Sequence, residues 1–412
     1  MKELHFPQGF LWGTATAAHQ VEGNNFNNWT RHESLKRTFN GEASGIASDH
    51  YHRYEEDFAW IQKLNNNIYR FSIEWSRIEP FPGKFNQKEI AHYLKILKSL
   101  KQKGIKVMLT LWHFSNPIWF EDLGGFSKKE NLHLIEPFVK KVVTEYKDFV
   151  DYWITINEPT TYIIETYIRG IFPPQKSSLI DSWKVYHNFI ALHLSIYKII
   201  HEFQPEAKVG IAFIISALLP FSPKSLLDRL CTRIIKYISY QRFLDKIYQQ
   251  TDFIGLQYYH HSKIRFHLGG KFLFFDESGI LSRSDLELDT NDLGWEIYPH
   301  GLKEVLLQIS KYQKPIIITE NGIADRYDKK RSKFIHDHLS VLWEAIQEGV
   351  DVQGYLHWSL MDNFEWNYGW DGRFGLLTID RNSDLRRIPG DSFHYYAAIC
   401  KRNALIPVPT KS

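Results

Sequence analysis

The chain has 412 residues, of which 43% are hydrophobic and 24% are charged, so it can bury a large core, and this composition excludes wholesale disorder. Its 50 Lys and Arg residues nearly balance its 47 Asp and Glu residues, and the net charge of +3 argues against a nucleic-acid or membrane partner. The two cysteines, Cys231 and Cys400, lie outside any CxxC motif and predict neither a disulfide framework nor a cysteine-built metal site.

The amino terminus has no apolar segment of the kind that signal peptides carry. The longest apolar stretch runs from Ile211 to Phe221 and is interrupted by Ser216 and Pro220, so it falls short of the roughly 18–20 residues of a membrane-spanning helix. We therefore expect a cytoplasmic protein.

Eight short runs rich in β-branched and aromatic residues recur along the chain, as is typical of strands buried on both faces of a parallel sheet. The predicted strands are Phe10–Ala15, Asn67–Ile73, Lys106–Trp112, Tyr152–Asn157, Lys208–Ile214, Asp252–Tyr258, Pro315–Glu320 and Gln353–Trp358. Amphipathic helices are predicted at Asn86–Lys103, Leu132–Asp151, Ser182–Phe203 and Ser332–Glu348. After the sixth strand, Gly269-Gly270 between apolar runs predicts a β-hairpin at Arg265–Phe275.

Strands that alternate with helices indicate the α/β class, and eight of them predict one (β/α)8 barrel with long loops over residues 1–412. A doubly wound open sheet is the rival arrangement, but no G-x-G-x-x-G motif follows the first strand. No repeat, linker or low-complexity segment divides the chain.

Polar and aromatic side chains follow most of the predicted strands, at the end of a barrel that carries the chemistry. They include Gln20, Arg70, His113, Asn157, Glu158, Tyr259, Glu320, Trp358, Glu365 and Trp366. Glu158 and Glu320 end strands four and seven, so they would face each other across the mouth of the barrel. Paired carboxylates amid aromatic and amide side chains suggest glycoside hydrolysis, in which one protonates the leaving oxygen and the other attacks the anomeric carbon or activates water.

Five ordered motifs are more specific than the pair of carboxylates alone. They read FLWGTATA and QVEG within 10–23, RFSIEWSR at 70–77, TINEP at 155–159, ITENG at 318–322 and WSLMDNFEW at 358–366. With these motifs the chain resembles glycoside hydrolase family 1, the β-glucosidase family, over nearly its whole length.

The resemblance implies a retaining exo-β-glycosidase that needs no cofactor or metal and hydrolyses terminal, unphosphorylated β-D-glucosides, and also galactosides or fucosides, through a covalent glycosyl-enzyme. It implies that Glu158 is the acid/base and Glu320 the nucleophile. Arg70 and Tyr259 match the residues that hold the nucleophile ionised and oriented, and Tyr259 also borders the substrate. The positions that match sugar-binding residues of the first subsite are Gln20, His113, Asn157, Glu365, Trp366 and, as the platform under the ring, Trp358.

Elementary electrostatics agrees with these roles. A guanidinium group beside a carboxylate lowers its pKa, and a phenol hydroxyl donates to the charged form. We therefore expect Glu320 to be ionised and Glu158 to be protonated, with the pKa of Glu158 raised by the negative charge of Glu320. A retaining enzyme also requires the two carboxyl groups to lie about 5–5.5 Å apart.

One residue departs from the family pattern beside the nucleophile, because Gln257 stands where Asn is usual. Strand alternation predicts that Gln257 and Tyr259 point to the same side, toward the mouth, where the longer amide would reach further toward the sugar or Glu320. The alternative is a tolerated replacement, since Gln and Asn side chains end in the same amide. The chain is also short for the family, so we expect trimmed entrance loops and leave the preferred leaving group open.

Three alternative functions remain open at this point. A 6-phospho-β-glycosidase would carry a small neutral residue at the position of Glu365 and a Lys and Tyr where this chain has Arg373–Phe374. A non-catalytic sugar-binding relative would lack one of the two carboxylates. A metal-dependent barrel hydrolase would need a pattern such as His-x-His after strand one, where this chain reads AAHQ at 17–20. The sequence leaves the choice among glucose, galactose and fucose, and the oligomeric state, undecided.

Overall fold

The computed structural model describes residues 3–267 and 289–409. Eight parallel strands close into a barrel in chain order, and each pairs with its neighbours along the chain. They are β1 Leu11–Ala15, β2 Ile68–Ser72, β3 Lys106–Trp112, β4 Tyr152–Asn157, β5 Val209–Ile214, β6 Phe253–Tyr258, β7 Ile316–Asn321 and β8 Val352–Trp358. The predicted (β/α)8 class is confirmed, and each strand begins and ends within one residue of its predicted bounds.

Helices surround the barrel. The longer ones are α1 His50–Lys63, α2 Gln87–Gln102, α3 Glu136–Tyr146, α4 Leu179–Phe203, α5 Leu226–Lys236, α6 Arg242–Ile247, α7 Pro299–Ile309, α8 Arg331–Gln347 and α9 Asp391–Arg402. Short helices follow the strands at Ala18–Val21, Asn28–Ser34, Trp75–Ile78, Ile118–Asp122 and Pro159–Ile163. No helix within the described ranges combines the length and the apolar composition needed to cross a membrane.

The helix predicted at Leu132–Asp151 is shorter than expected. Pro137 lies in the first turn of α3, where its missing N–H is tolerated and its fixed backbone angle starts a helix. The residues before it form a separate 3-10 turn at Lys129–Leu134, and Lys147–Phe149 forms another after α3. The amphipathic pattern therefore runs through three elements rather than one.

Within the part of the chain that the structure describes, three small sheets lie outside the barrel. Leu4–His5 pairs with Ala404–Leu405, Ala217–Pro220 pairs with His261–Ile264, and Leu377–Asp380 pairs with Arg386–Pro389. The hairpin predicted at Arg265–Phe275 lies outside the described residues from 268 onward, and 265–267 carry no strand.

The core has two layers, one between the strands and the helices and one inside the barrel. The inner layer consists of Leu11, Ile68, Met108, Tyr152, Ile154, Ala212, Phe253, Ile317 and Leu356. These side chains fill the barrel below its carboxyl end, so the barrel is a packed core and not a pore. The polar residues at the strand ends therefore lie next to a rigid, close-packed layer of apolar side chains.

Candidate active site

The two carboxyl groups singled out in the sequence are buried at the carboxyl end of the barrel. Glu320 lies in β7, and both of its side-chain oxygens accept hydrogen bonds. Tyr259 Oη donates to Oε2 at 2.5 Å, Gln257 Nε2 donates to Oε1 at 2.8 Å, and the Arg70 guanidinium also bonds Oε1. Three donors thus stabilise the ionised form of this carboxyl group and hold its orientation.

Arg70, in β2, forms hydrogen bonds with three other strands of the barrel. Its Nη2 donates to Asn157 Oδ1 at 2.5 Å, and its Nε donates to Thr110 Oγ1 at 3.2 Å. The side chain is 1% exposed, so the guanidinium group is stable there only because Glu320 and these acceptors satisfy it. Arg70 therefore connects the nucleophile candidate to Asn157, which directly precedes Glu158.

Glu158 has an unusual backbone. It lies between β4 and the short helix Pro159–Ile163 with φ 41° and ψ 61°, in the left-handed region, which costs a residue other than glycine about 1–3 kcal/mol. Its N–H donates to the carbonyl of Ala212 in β5 at 2.8 Å. Such a conformation persists only where the surroundings enforce it, and it is typical of active sites.

The surroundings of the two carboxyl groups are different. Burial raises the pKa of Glu158 to about 8, and the negative charge of Glu320 adds to that rise. Burial also raises the pKa of Glu320, but the Arg70 charge and the Tyr259 hydrogen bond oppose this rise. From the sequence we expected the charge of Glu320 to raise the pKa of Glu158, whereas burial is the larger cause of the rise. We assign the proton to Glu158 and the charge to Glu320.

His113 and two tryptophans form an aromatic wall beside the carboxyl groups. The His113 ring is nearly parallel to Trp358 and to Trp366, with centroid distances of 6.2 and 5.8 Å. Burial and the Arg70 charge hold the pKa of His113 well below its usual range, so the ring is neutral. Asn157 Nδ2 lies 3.0 Å from His113 Nε2. Because an amide N–H donates, Nε2 accepts and Nδ1 carries the proton.

Gln20 and Glu365 meet beside Trp358. Gln20 Nε2 donates to Asn363 Oδ1 at 2.8 Å and to the carbonyl of Phe364 at 2.9 Å, and it lies 3.2 Å from Glu365 Oε2. Burial raises the pKa of Glu365 to about 8, and the charge of Glu320 contributes. The charges of Glu158, Glu320 and Glu365 therefore influence one another.

Among the buried polar atoms that have no hydrogen-bond partner within the described ranges, three belong to this cluster. They are Gln20 Oε1, His113 Nδ1 and Gln257 Oε1. Unsatisfied buried polar atoms are costly in an interior. Hydroxyl groups both donate and accept hydrogen bonds. A ligand with several of them could donate to the amide oxygens of Gln20 and Gln257 and accept from the N–H of His113.

Sequence reasoning missed two supporting residues. Thr110 accepts a hydrogen bond from Arg70. It lies two residues after Met108 in β3, whose side chain points into the barrel, so strand alternation could have predicted that Thr110 also points inward. Asn363, which bonds Gln20, lies inside the WSLMDNFEW motif but was given no role. Every residue that the sequence placed in the site lies within this one cluster.

Comparisons with known proteins show what the whole chain is similar to. The profile described as Glycosyl hydrolase family 1 matches residues 2–249 and 232–405. Beta-glucosidase A of Thermotoga maritima is 31% identical, over 98% of this chain and 100% of its own. The solved beta-glycosidase from Pyrococcus horikoshii is 36% identical with a TM-score of 0.91, over 98% of this chain and 97% of its own.

A second solved structure carries a ligand. The family 1 β-glucosidase from Thermotoga maritima in complex with isofagomine lactam is 30% identical, with a TM-score of 0.90, and the match covers 98% of this chain and 100% of that chain. These matches cover nearly the full length of the chain and agree with the motifs and the barrel. The chain belongs to glycosyl hydrolase family 1.

Proposed function

We propose that the protein is a retaining exo-β-glycosidase that hydrolyses terminal, unphosphorylated β-D-glucosides. The observation that carries the proposal is the pair of unlike carboxyl groups. Glu158 is held neutral by burial, whereas Glu320 accepts hydrogen bonds from Arg70, Gln257 and Tyr259. A neutral carboxylic acid and a carboxylate in one site are what double displacement at an anomeric carbon requires.

In the first step the Glu320 carboxylate attacks the anomeric carbon while Glu158 transfers its proton to the glycosidic oxygen. The bond from carbon to leaving oxygen breaks, and an ester bond to Glu320 forms. In the second step the ionised Glu158 takes a proton from water, and the water oxygen attacks the same carbon. The ester bond breaks, Glu320 regains its charge, and Glu158 is again protonated.

The sugar-binding part of the proposal rests on the three unsatisfied polar atoms and the aromatic wall. Trp358 offers an apolar face, and Gln20, His113 and Glu365 offer polar atoms around it. Asn157 is held by Arg70 and Gln257 beside the nucleophile, where it could contact the sugar 2-hydroxyl. The binding of a sugar-like inhibitor by the similar Thermotoga maritima enzyme supports this reading.

The first test is the stereochemistry of the product. We expect the first-formed sugar to be the β-anomer, because two inversions at one carbon restore its configuration. Proton NMR at an early time point, before mutarotation, measures the anomer directly. An α-anomer would show a single displacement and would remove Glu320 from the role of nucleophile, although the chain would remain a glycoside hydrolase.

The second test concerns Glu365, which we propose accepts hydrogen bonds from the hydroxyls at carbons 4 and 6. Glu365→Ser is expected to raise the barrier for glucosides by about 1.5–3 kcal/mol and to raise the relative rate on 6-phosphoglucosides. Because its pKa is raised to about 8, this carboxyl group is mostly protonated at neutral pH, so it would exclude phosphate by its volume more than by its charge.

Kinetics on both substrate types measure that preference. Asp371→Ser is the matched control, since Asp371 is an exposed carboxylate on the same loop that pairs with Arg326. An unchanged preference in Glu365→Ser would contradict the contact and leave the 6-phospho-β-glycosidase alternative open.

The third test compares the two neutral donors to Glu320. Gln257→Asn keeps the amide and is expected to retain kcat/KM on an aryl glucoside within about tenfold, or 1.4 kcal/mol. Tyr259→Phe removes a donor to a charged oxygen and is expected to cost about 1.5–3 kcal/mol. Tyr258→Phe is the control, because the Tyr258 hydroxyl donates to the carbonyl of Tyr298 at 2.6 Å, away from the carboxyl groups. A larger loss in Gln257→Asn would transfer the main orienting role to the amide.

A further inference from the structure

Helix α5 has its apolar face turned outward. Four large apolar side chains are between 45% and 72% exposed, and they are Leu226, Leu227, Leu230 and Ile234. Their spacing of three and four residues places them on one side of the helix. The opposite side contains Asp228 and Thr232, and both are buried. A surface helix of a globular protein normally has the reverse arrangement.

Polar contacts fix this inverted orientation. The Asp228 carboxylate accepts hydrogen bonds from the backbone N–H of Ser222 at 3.0 Å and of Phe266 at 2.9 Å. Ser225 caps the first turn by accepting from the N–H of Asp228 at 3.2 Å. Rotating the helix to bury its leucines would break these bonds and leave a carboxylate and two amides unsatisfied. The apolar face is therefore held toward solvent by the fold.

The exposed apolar surface continues onto two neighbouring segments. They contribute Tyr237 and Ile238 after α5, and Leu179, Ile180 and Trp183 at the start of α4. The Arg242 guanidinium lies 4.5 Å from the Trp183 ring centroid and connects the two segments. We call these residues, together with the four on α5, the rim surface. Both segments follow the carboxyl ends of barrel strands, so the rim surface lies at the same end of the barrel as the candidate site.

Basic side chains concentrate at the rim surface. Residues 222–246 contain six basic and two acidic residues, namely Lys224, Arg229, Arg233, Lys236, Arg242 and Lys246 against Asp228 and Asp245. The net charge of this segment, +4, exceeds the net charge of the entire chain, +3. Arg229 and Arg233 are exposed, one turn apart, along the edge of the apolar face. The balanced total charge in the sequence therefore conceals a local basic patch.

We propose that the rim surface docks the enzyme onto an anionic lipid bilayer. An amphipathic helix with apolar and basic side chains lies in the plane of the interface, where its apolar side enters the acyl boundary and its cations contact lipid phosphates. A second copy of this chain fits less well, because a twofold contact through this surface would bring the arginines of both copies together. The proposal concerns a peripheral contact and is independent of the proposed catalytic function.

The test is co-sedimentation of the full-length protein with vesicles of phosphatidylcholine, with and without phosphatidylglycerol. We expect sedimentation with the anionic vesicles at low salt, and weaker sedimentation at high salt because salt screens the attraction. The double variant Leu230→Glu/Ile234→Glu is expected to abolish sedimentation with the anionic vesicles. Arg229→Gln/Arg233→Gln is expected to lower the partition coefficient about thirtyfold, roughly fivefold for each charge.

Matched controls are Leu307→Glu on α7, where the leucine is also exposed, and Lys95→Gln/Lys98→Gln on α2, where both lysines are exposed. Both are expected to sediment like the wild type. Activity on an aryl glucoside reports folding of every variant. Sedimentation that is absent for the wild type, or equal in all variants, would overturn the proposal. A wild-type dimer by light scattering that becomes a monomer in Leu230→Glu/Ile234→Glu would overturn it in favour of self-association.

Discussion

Glu320→Gly is expected to lower kcat/KM on an aryl β-glucoside by roughly 10⁵–10⁶-fold, the size of effect seen when a covalent nucleophile is removed. The substitution deletes the group that forms the bond to the anomeric carbon. It also leaves the buried Arg70 guanidinium without its counter-ion. Steady-state kinetics measure the loss, and a thermal unfolding midpoint shows whether the variant is folded.

Added azide distinguishes the loss of a nucleophile from a loss of structure. In Glu320→Gly an azide ion can enter the space of the deleted carboxylate and attack from that face, so the expected product is the α-glycosyl azide after a single inversion. The matched control is Glu121→Gln, a half-buried glutamate that accepts from Asn116 Nδ2 at 2.9 Å outside the site and should retain near wild-type activity. A β-glycosyl azide from Glu320→Gly would contradict the assignment.

Glu158→Ala is expected to lose about 10²–10⁴-fold on substrates with poor leaving groups, the contribution of a general acid. Activated aryl glycosides should be spared in the first step, since their leaving oxygen needs no proton. Azide should restore their turnover and give the β-glycosyl azide, because Glu320 still forms the ester. Equal losses on both substrate types would count against the acid role.

The pH profile tests the same residue. Glu158 must carry a proton and has a pKa of about 8, so kcat/KM of the wild type should fall as pH rises through about 8. On the acid side kcat/KM should fall as Glu320 takes up a proton, which gives a bell shape. Glu158→Ala should lose the alkaline limb and keep the acid limb. An alkaline limb that survives the substitution would belong to another group.

The barrel strands were predictable because a strand buried on both faces has a local signature, a short run of β-branched and aromatic residues. The start of α3 was less predictable. The amphipathic pattern continues through Leu132 and Leu134, and Pro137 decides where the helix begins.

The membership of the candidate site followed from strand ends, which converge in any parallel barrel. Its internal hydrogen bonds did not follow, because they depend on side-chain geometry between strands far apart in the sequence. Gln257 illustrates this, since its amide donates to Asn157 and Glu320 at 2.8 Å each; the sequence predicted its direction and its reach toward the sugar or Glu320, but not the bond to Asn157. The rim surface was hidden for a related reason. An amphipathic pattern does not say which side faces the protein, and Asp228 decides that through backbone groups of two loops.

The left-handed backbone at Glu158 has a consequence for engineering heat resistance. The carboxyl end of the barrel combines the strained and buried Glu158 with a second buried carboxyl group, Glu320, so substitutions that remove strain or charge there would raise the melting temperature while they lower turnover. Toward the opposite end, apolar side chains fill the barrel interior, among them Leu11, Ile68 and Met108. Attempts to make the protein more heat-resistant should therefore begin at that end, where tighter packing carries no penalty in rate.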